Sequence, residues 1–144
     1  MSARTIRSII EGQESITAPK HVPVLEAARL MKQHNVGAIM VVEGEKLVGV
    51  FTERDALFRV VAEGRDAGTT ELGAVMTQNP KTVQVDSPFS LALQMMYEGG
   101  FRNVPVVENG RPVGLVSARD ALGPELKEFV YEMLRQEQTT DVLA

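Results

Sequence analysis

The chain repeats itself, and this repetition constrains its fold more than any other feature of the sequence. The segment "GVFTERDAL" runs from Gly49 to Leu57, and "GLVSARDAL" runs from Gly114 to Leu122, 65 residues later. The same offset, without a gap, aligns "VVE" at residues 41–43 with "VVE" at residues 106–108. Because internal similarity at a fixed offset marks duplicated structural units, we interpret the chain as a tandem duplication.

The similarity continues upstream of each repeat if one residue of slip is allowed. That slip aligns three apolar residues before the first repeat with three before the second, namely Ile6, Ile9 and Ile10 with Leu72, Val75 and Met76. We therefore predict that each half begins with a short lead-in helix. The predicted organisation is repeat 1 with its lead-in helix at residues 1–64, a polar linker at 65–71, repeat 2 at 72–123, a C-terminal helix at 124–137 and a tail at 138–144.

Hydrophobic periodicity predicts that each repeat combines helices with buried strands, an α/β fold. In the first repeat an amphipathic helix follows Pro23, because apolar residues recur there at helical spacing: Val24, Ala27, Ala28 and Met31. The β-rich runs "AIMVV" and "LVGVF" flank the turn "EGEK" and predict a pair of buried strands. The second repeat shows the same pattern in a helix from Pro88 to Tyr97 and in the runs "NVPVV" and "PVGLV".

A further helix is predicted to follow each pair of strands. In the first repeat it begins at Thr52 and ends near Gly64, since glycine is common just past a helix end. Its inward-facing residues are predicted to be Leu57, Val60 and Val61. In the second repeat the corresponding helix begins at Ser117 and is cut short by the sequence Gly-Pro at residues 123–124.

The C-terminal helix, from Pro124 to Gln136, carries one apolar stripe: Leu126, Phe129, Val130, Met133 and Leu134. Such a stripe could cover an edge of its own module, or it could form a homodimer contact, since exposed apolar patches mark interfaces. We favour a homodimer formed through helices of both repeats, with this helix contributing. The polar segment "QEQTTDVLA" that follows is expected to be frayed.

Composition excludes several classes of function. The 144 residues include no cysteine, and the formal net charge is −4, with no block of Lys or Arg. These features argue against disulfides, thiolate metal sites and a surface for nucleic acid or anionic membranes. The sequence begins without an apolar signal segment and has no run of about 20 apolar residues. We expect a cytoplasmic protein that does not bind membranes.

The duplicated junction has a purely structural interpretation. Thr52 and Ser117 stand where helices are predicted to begin, and Asp55 and Asp120 follow three residues later. This spacing is typical of a capping box, in which side chains at the helix start bond to free backbone N–H groups. Each cap would stabilise the fold by about 1 kcal/mol. No ligand is needed to explain the pattern at this level.

The same residues also suit a ligand. A helix start presents free N–H groups and the positive end of the helix dipole to a phosphate, and the glycine of the preceding strand would let a ligand approach the backbone. A carboxylate at Asp55 or Asp120 would repel phosphate but would accept hydrogen bonds from a ribose diol. Arg54 and Arg119 could supply the charge that balances a phosphate. Together these groups indicate a ribose phosphate site, and recurrence at identical spacing favours it.

The pattern Gly-hydrophobic-x-Thr/Ser-x-x-Asp, in two β-α-β-β-α repeats, resembles a pair of CBS domains, the module also called a Bateman module. The resemblance covers the chain from about Ile6 to Leu122. It implies two repeats packed about a pseudo-twofold axis, with two clefts that bind adenosyl ligands. AMP is the leading candidate, followed by ADP, ATP, NAD and S-adenosylmethionine, and no metal is required. It also implies a regulatory protein, often a homodimer, that acts on a protein partner which the sequence does not identify.

The resemblance also implies roles for individual residues. Ribose binding falls on Asp55 and Asp120, and the phosphate side falls on Thr52, Ser117 and, in the segment "FRNVPVV", on Arg102, together with Arg54 and Arg119. The residues implied near the base are Thr17, Ala18, Lys20, Ile39, Met40, Thr82, Val83, Val85, Val104 and Pro105. Both Asp motifs are intact, so either cleft could be occupied. The first repeat has Gly37 where the second has Arg102, so the two clefts should differ in affinity or in ligand.

Three hypotheses follow from the sequence. The first is a nucleotide-sensing regulatory module, and the second is a structural dimerisation or adaptor module in which the Thr/Asp and Ser/Asp pairs only cap helices. The third is an enzyme such as a nucleotide hydrolase, for which the sequence offers no evident base or nucleophile. The two histidines, His21 and His34, lie far apart and are interpreted as surface residues rather than metal ligands.

Overall fold

The computed structural model describes the backbone of residues 4–143 and the side chains of residues 4–135. Its helices are α1 Ile6–Ile10, α2 Val24–His34, α3 Glu53–Asp55, α4 Leu72–Val75, α5 Phe89–Gly99 and α6 Gly123–Leu143. Its strands are β1 Thr17–Pro19, β2 Ala38–Glu43, β3 Lys46–Thr52, β4 Thr77–Gln78, β5 Val83–Gln84, β6 Asn103–Glu108 and β7 Arg111–Ser117. Within the described part of the chain, none of these helices is both long enough and apolar enough to span a bilayer.

The two repeats form two small sheets of closely similar construction. In the first sheet the order is β1-β2-β3-β4, and in the second it is β5-β6-β7. In each repeat the first strand pairs parallel to the second, and the hairpin that follows is antiparallel. The hairpin register shifts between Val41 and Val42 in one repeat and between Val106 and Val107 in the other. The same irregularity at the same offset confirms the predicted duplication and the α/β fold.

The lead-in helices are exchanged between the repeats, which the sequence did not predict. Ile6 of α1 is fully buried in the core of the second repeat, and Leu72 of α4 is fully buried in the core of the first. The Arg7 N–H donates to the Val85 carbonyl at 2.9 Å. The quasi-equivalent bond, from an N–H of α4 to a carbonyl beside β1, joins residues 73 and 20 at 2.8 Å. Each repeat therefore completes the core of the other about a pseudo-twofold axis.

The glycine repeated in each junction makes room for this exchange. A Cβ added to Gly114 would lie 2.7 Å from Ile10 Cγ2, and one added to Gly49 would collide with Met76. Both neighbours belong to the lead-in segments. The prediction that these glycines let a ligand approach the backbone is therefore wrong, because the space beside them is filled by the other repeat.

The helices after the strand pairs differ from the prediction and from each other. In the first repeat, α3 continues as a π-helical segment, Ala56–Val61, in which the Ala62 N–H bonds to the Leu57 carbonyl at 2.9 Å. This wider spacing rotates Leu57 and Val61 outward, so their predicted inward orientation is wrong, and only Val60 is buried. In the second repeat the helix is a single 3-10 turn, Ala118–Asp120.

The C-terminal helix divides its predicted apolar stripe between two environments. Phe129 is buried and Met133 packs beside it on the core of the second repeat. The rest of the stripe is exposed and continues a row spaced four residues apart: Leu122, Leu126, Val130 and Leu134. The helix also runs to Leu143, so the segment predicted as a frayed tail at residues 138–144 is helical up to that residue, since no glycine or proline interrupts it. Ala144 lies outside the described residues.

Candidate functional site

An open cleft lies between the repeats at the second duplicated junction, and we call it the Asp120 cleft. Its volume is about 580 Å³. One wall comes from the first repeat and comprises Gln13, Glu14, Ile16, Asn35, Val36, Gly37, Ala38 and Glu53. The other wall comes from the second repeat and comprises Arg102, Asn103, Leu115, Ser117, Ala118, Arg119 and Asp120. A cavity of this size falls in the range typical of small-molecule sites.

Asp120 presents an accessible carboxylate to this cleft. The Ser117 N–H donates to Asp120 Oδ2 at 2.8 Å, and the Ser117 hydroxyl accepts from the Arg119 N–H at 3.1 Å. These bonds form the capping arrangement predicted from the sequence. The side chain of Asp120 is only half-buried. The cap holds the carboxylate in place through one oxygen, and the described side chains give it no ion-pair partner.

The cleft contains charges of both signs. Arg102 and Arg119 are exposed on the wall of the second repeat, and Arg119 reaches across to donate a 3.4 Å hydrogen bond to the Asn35 carbonyl. Glu14 and Glu53 stand on the wall of the first repeat. The Glu53 side chain packs over residue 37, where the lack of a Cβ leaves room for its carboxylate. The cleft can therefore hold an anion between its arginines, but its opposite wall is acidic.

A main-chain bond fixes the start of each junction helix within its own wall of the cleft. The Glu53 N–H donates to the Gly37 carbonyl at 3.0 Å, and the Ala118 N–H donates to the Arg102 carbonyl at 3.0 Å. Each bond ties the start of a junction helix to the residue just before its own sheet. The second bond places the Arg102 backbone beside the Ser117–Asp120 turn, which brings together two of the segments predicted to bind phosphate and ribose.

The first junction has a different arrangement around Asp55. This is the one charged side chain among the described residues that is buried, and only 6% of its surface is exposed. Asp55 Oδ2 accepts from the Thr52 N–H at 3.1 Å, which completes a capping box. The Thr77 hydroxyl donates to the same carboxylate, with distances of 3.3 and 3.2 Å to its two oxygens. Arg59 Nε forms an ion pair with Asp55 Oδ1 at 3.5 Å.

Arg59 and Thr77 are therefore neighbours of Asp55 that the sequence analysis missed. Arg59 lies four residues after Asp55, a spacing that pairs charges on a helix and that could have indicated the contact. Thr77 comes from β4 of the other half of the chain, and no local pattern connects it with Asp55. Arg54, predicted to balance a phosphate, is exposed and stacks over the Phe58 ring at 5.2 Å, so its phosphate role stays a prediction.

The residues implied near the base lie mostly inside the two cores. The buried members of this set are Ala18, Ile39, Met40, Val83, Val85, Val104 and Pro105. Thr17 and Lys20 are exposed and Thr82 is half-buried, and none of the three lines the Asp120 cleft. Residues adjacent in sequence line it instead, namely Ile16, Ala38 and Asn103. Buried members could reach a ligand only through their backbone, so their assignment stays a prediction.

The side chain of Arg4 connects the cleft with α6, and we call this contact the Arg4 clamp. Arg4 Nη2 donates to the Asp120 carbonyl at 2.7 Å and to Glu125 Oε1 at 2.5 Å. The Leu122 N–H donates to the same Glu125 oxygen at 2.9 Å, so this carboxylate also caps the start of α6. The hydrogen bond from Arg4 lowers the pKa of Glu125, against the opposing effect of burial. Among the described residues, no group of three or more potential metal ligands occurs here or elsewhere.

The fold and this junction correspond to a known family. The family model described as CBS domain matches residues 6–62 and 72–123, and the chain therefore belongs to the CBS-domain family, as a tandem pair. YhcV of Bacillus subtilis, a CBS domain-containing protein, is 36% identical over 116 residues, which cover 81% of each chain. CBSX3 of Arabidopsis thaliana, named as mitochondrial, is 35% identical over 117 residues, but the present chain spans only 57% of its length.

Solved structures of similar fold include two with bound adenosyl compounds. The CBS domain protein PAE2072 of Pyrobaculum aerophilum, complexed with AMP, superposes with a TM-score of 0.77 at 25% identity, covering 89% of this chain and 99% of that one. The CBS domain pair of MJ0100, in complex with 5′-methylthioadenosine and S-adenosyl-L-methionine, gives a TM-score of 0.74 at 27% identity, covering 83% and 93%.

Proposed function

We propose that this protein is a regulatory sensor that binds an adenosyl ligand in the Asp120 cleft and passes a change of shape to a protein partner. The accessible, capped carboxylate of Asp120, facing a 580 Å³ cleft with two arginines, carries this proposal. The AMP and S-adenosylmethionine complexes of two similar structures support it.

The chemistry of the cleft suggests how a ligand is held. The Asp120 carboxylate would accept hydrogen bonds from the ribose 2′- and 3′-hydroxyls, since one oxygen already bonds to the cap and the cleft leaves room beside it. The guanidinium groups of Arg102 and Arg119 would pair with a phosphate. Glu14 and Glu53 on the facing wall would repel additional phosphates. We therefore favour AMP over ADP and ATP.

The exposed row on α6 supports homodimerisation. Three of its apolar residues, Leu126, Val130 and Leu134, lie on α6, and the fourth, Leu122, directly precedes the helix; each exposes 45–58% of its surface. The helix is anchored beside this row, through Phe129 and Met133, so the row itself is an uncovered apolar surface that pairing with a second copy would bury. The Arg4 clamp then offers a route from the ligand to this surface, because it bonds to both Asp120 and Glu125.

The test is thermal unfolding with AMP, ADP, ATP, NAD and S-adenosylmethionine in turn. A ligand at 100 times its Kd should stabilise the protein by about 2.7 kcal/mol, which corresponds to a rise in Tm on the order of 10 °C for a chain of this size. The Asp120→Asn variant should lose most of the rise, whereas Asp86→Asn, which alters an exposed ion pair with Arg7, should keep it.

The same experiment distinguishes the alternative of a structural module without a ligand. Both junctions form capping arrangements, so that alternative predicts a lower Tm for Asp120→Asn and no response to any of the five compounds. A response to one compound that survives in Asp120→Asn would place the ligand elsewhere and contradict the proposed site.

A further inference from the structure

We propose that the protein takes one adenosyl ligand per chain, in the Asp120 cleft, because Thr77 and Arg59 close the equivalent site at Asp55 from within the chain. This inference rests on the proposed function. It concerns which of the two duplicated junctions, at Asp55 or at Asp120, can bind the adenosyl ligand.

The two aspartates have the same caps but different neighbours. Both accept a hydrogen bond from the N–H of their cap residue, at 3.1 Å for Asp55 and 2.8 Å for Asp120. Asp55 additionally accepts from Thr77 on both oxygens and pairs with Arg59. Its two oxygens are therefore occupied by the protein. A ribose diol would have to displace both partners before it could bond to this carboxylate.

Arg59 has no counterpart in the second repeat. It lies four residues after Asp55, and the residue four positions after Asp120 is Pro124, which carries no charge. The chain also leaves the 3-10 turn at Asp120, so no helix continues there to carry a side chain back over the carboxylate. The guanidinium of Arg59 is itself anchored, because it donates to the Met76 carbonyl at 2.9 Å.

Thr77 likewise has no counterpart, because the edges of the two hairpins are covered differently. In the first repeat, β4 pairs with β3 and sets Thr77 opposite Val50, which fixes its hydroxyl beside Asp55. In the second repeat the residue equivalent to Val50 is Leu115, and its backbone bonds to the side chain of Gln13, at 3.0 and 2.9 Å. A side-chain amide covers this edge without delivering a hydroxyl to Asp120.

Isothermal titration with AMP tests the inference. The wild type should bind one AMP per chain, and Asp120→Asn should weaken binding by about 10- to 100-fold, the effect expected for losing hydrogen bonds to a charged group. Thr77→Val removes the closing hydroxyl with little change in volume but leaves Arg59 paired with the Asp55 carboxylate, so the variant should keep the wild-type affinity and stoichiometry. Asp55→Asn should do the same while lowering Tm, and circular dichroism would verify that each variant is folded.

The outcomes separate this inference from the proposed function. Two AMP molecules per chain, or binding that survives in Asp120→Asn and is lost in Asp55→Asn, would leave the sensor function intact and overturn the assignment to a single cleft. Absence of binding by AMP and by the other four adenosyl compounds would overturn both. Loss of AMP binding in folded Thr77→Val would also contradict the inference, because Thr77 would then contribute to a ligand site.

Discussion

The guanidinium of Arg4 donates hydrogen bonds to both carboxylate oxygens of Glu125, at 2.5 and 3.3 Å. This two-point contact joins the segment before α1 to the first turn of α6, 121 residues later in the chain. Its side chains are about one-third exposed, so water screens part of the interaction. The contact nevertheless lowers the pKa of Glu125, because the guanidinium stabilises the charged carboxylate.

Arg4→Met should reduce the free energy of unfolding at pH 7 by about 1 kcal/mol, after allowance for solvent screening. The pKa of Glu125 is lowered in the folded protein from a usual value of 4.5. Its contribution is therefore complete above that value and is lost as the pH falls through the folded pKa. Urea unfolding at several pH values from 7 to 3 should show the wild type and the variant converging in acid.

Arg7→Met is the matched control, since Arg7 pairs with Asp86 through side chains that are mostly exposed. Its effect should stay near zero at neutral pH. A difference between Arg4→Met and wild type that stays constant down to pH 3 would show that the packing over Phe89 or the hydrogen bond to the Asp120 carbonyl, rather than the ion pair, causes the destabilisation.

Gly114→Ala should destabilise the protein by about 1–3 kcal/mol, because its added methyl group overlaps the branched side chain of Ile10. In an Ile10→Gly background, which also removes the Ile10 Cβ that lies 2.8 Å from the added methyl group, the same substitution should cost much less. A double-mutant cycle in urea measures this coupling. Gly123→Ala, where no heavy atom lies within 4 Å of the added Cβ, is the control and should be nearly neutral. Equal costs in both backgrounds would show that Ile10 is not the obstacle.

Ile6→Ala should loosen the second repeat rather than the first. Ile6 is fully buried among residues of the second core, including Phe89 and Val104, and its truncation should cost about 2–5 kcal/mol. In hydrogen exchange, amides of β6 and α5 should lose protection beyond those of β2. Leu72→Ala should give the reverse pattern, because Leu72 lies in the first core. Greater loss of protection in β2 after Ile6→Ala, or in β6 after Leu72→Ala, would contradict the exchange of lead-in helices.

The duplication could be predicted from the sequence because similar segments recur at a fixed offset. The main helices and strands could be predicted because each has a local hydrophobic periodicity. The exchange of lead-in helices could not, since Ile6 and Leu72 show the same apolar pattern whichever core they enter. The outward turn of Leu57 and Val61 was also hidden, because it follows from π-helical spacing that a 3.6-residue period does not describe.

In the candidate site, too, the local features could be predicted from the sequence and the contacts between distant segments could not. The paired aspartates are visible in the sequence, and their caps follow from spacing alone. What separates Asp55 from Asp120 is a hydroxyl from β4, at Thr77, which is brought in by sheet pairing between the repeats. Of the two partners of Asp55, only Arg59 could have been predicted from the sequence. It lies four residues after Asp55, whereas a proline occupies the corresponding position of the second repeat.

Val130→Glu should shift the proposed homodimer toward monomer. Val130 lies in the middle of the exposed row of α6, so a charge there would be desolvated on pairing and would cost several kcal/mol unless it found a partner. Light scattering after size exclusion measures the mass. Lys127→Glu, on an exposed position of the same helix outside the row, controls for added negative charge and should leave the mass unchanged. A wild-type mass near 15.7 kDa would contradict the dimer outright.

Glu53→Gln should change the selectivity of the proposed sensor among phosphates. Glu53 faces the arginine wall of the Asp120 cleft, and its carboxylate would approach phosphates beyond the first. Removing the charge should strengthen ATP and ADP binding by several-fold, on the order of 1 kcal/mol at a partly solvated site, and should leave AMP binding nearly unchanged. Titration of all three nucleotides into this variant and into Glu63→Gln, an exposed position outside the cleft lining, gives the comparison. Equal gains for AMP and ATP would mean that Glu53 acts on the cleft as a whole and does not select by phosphate number.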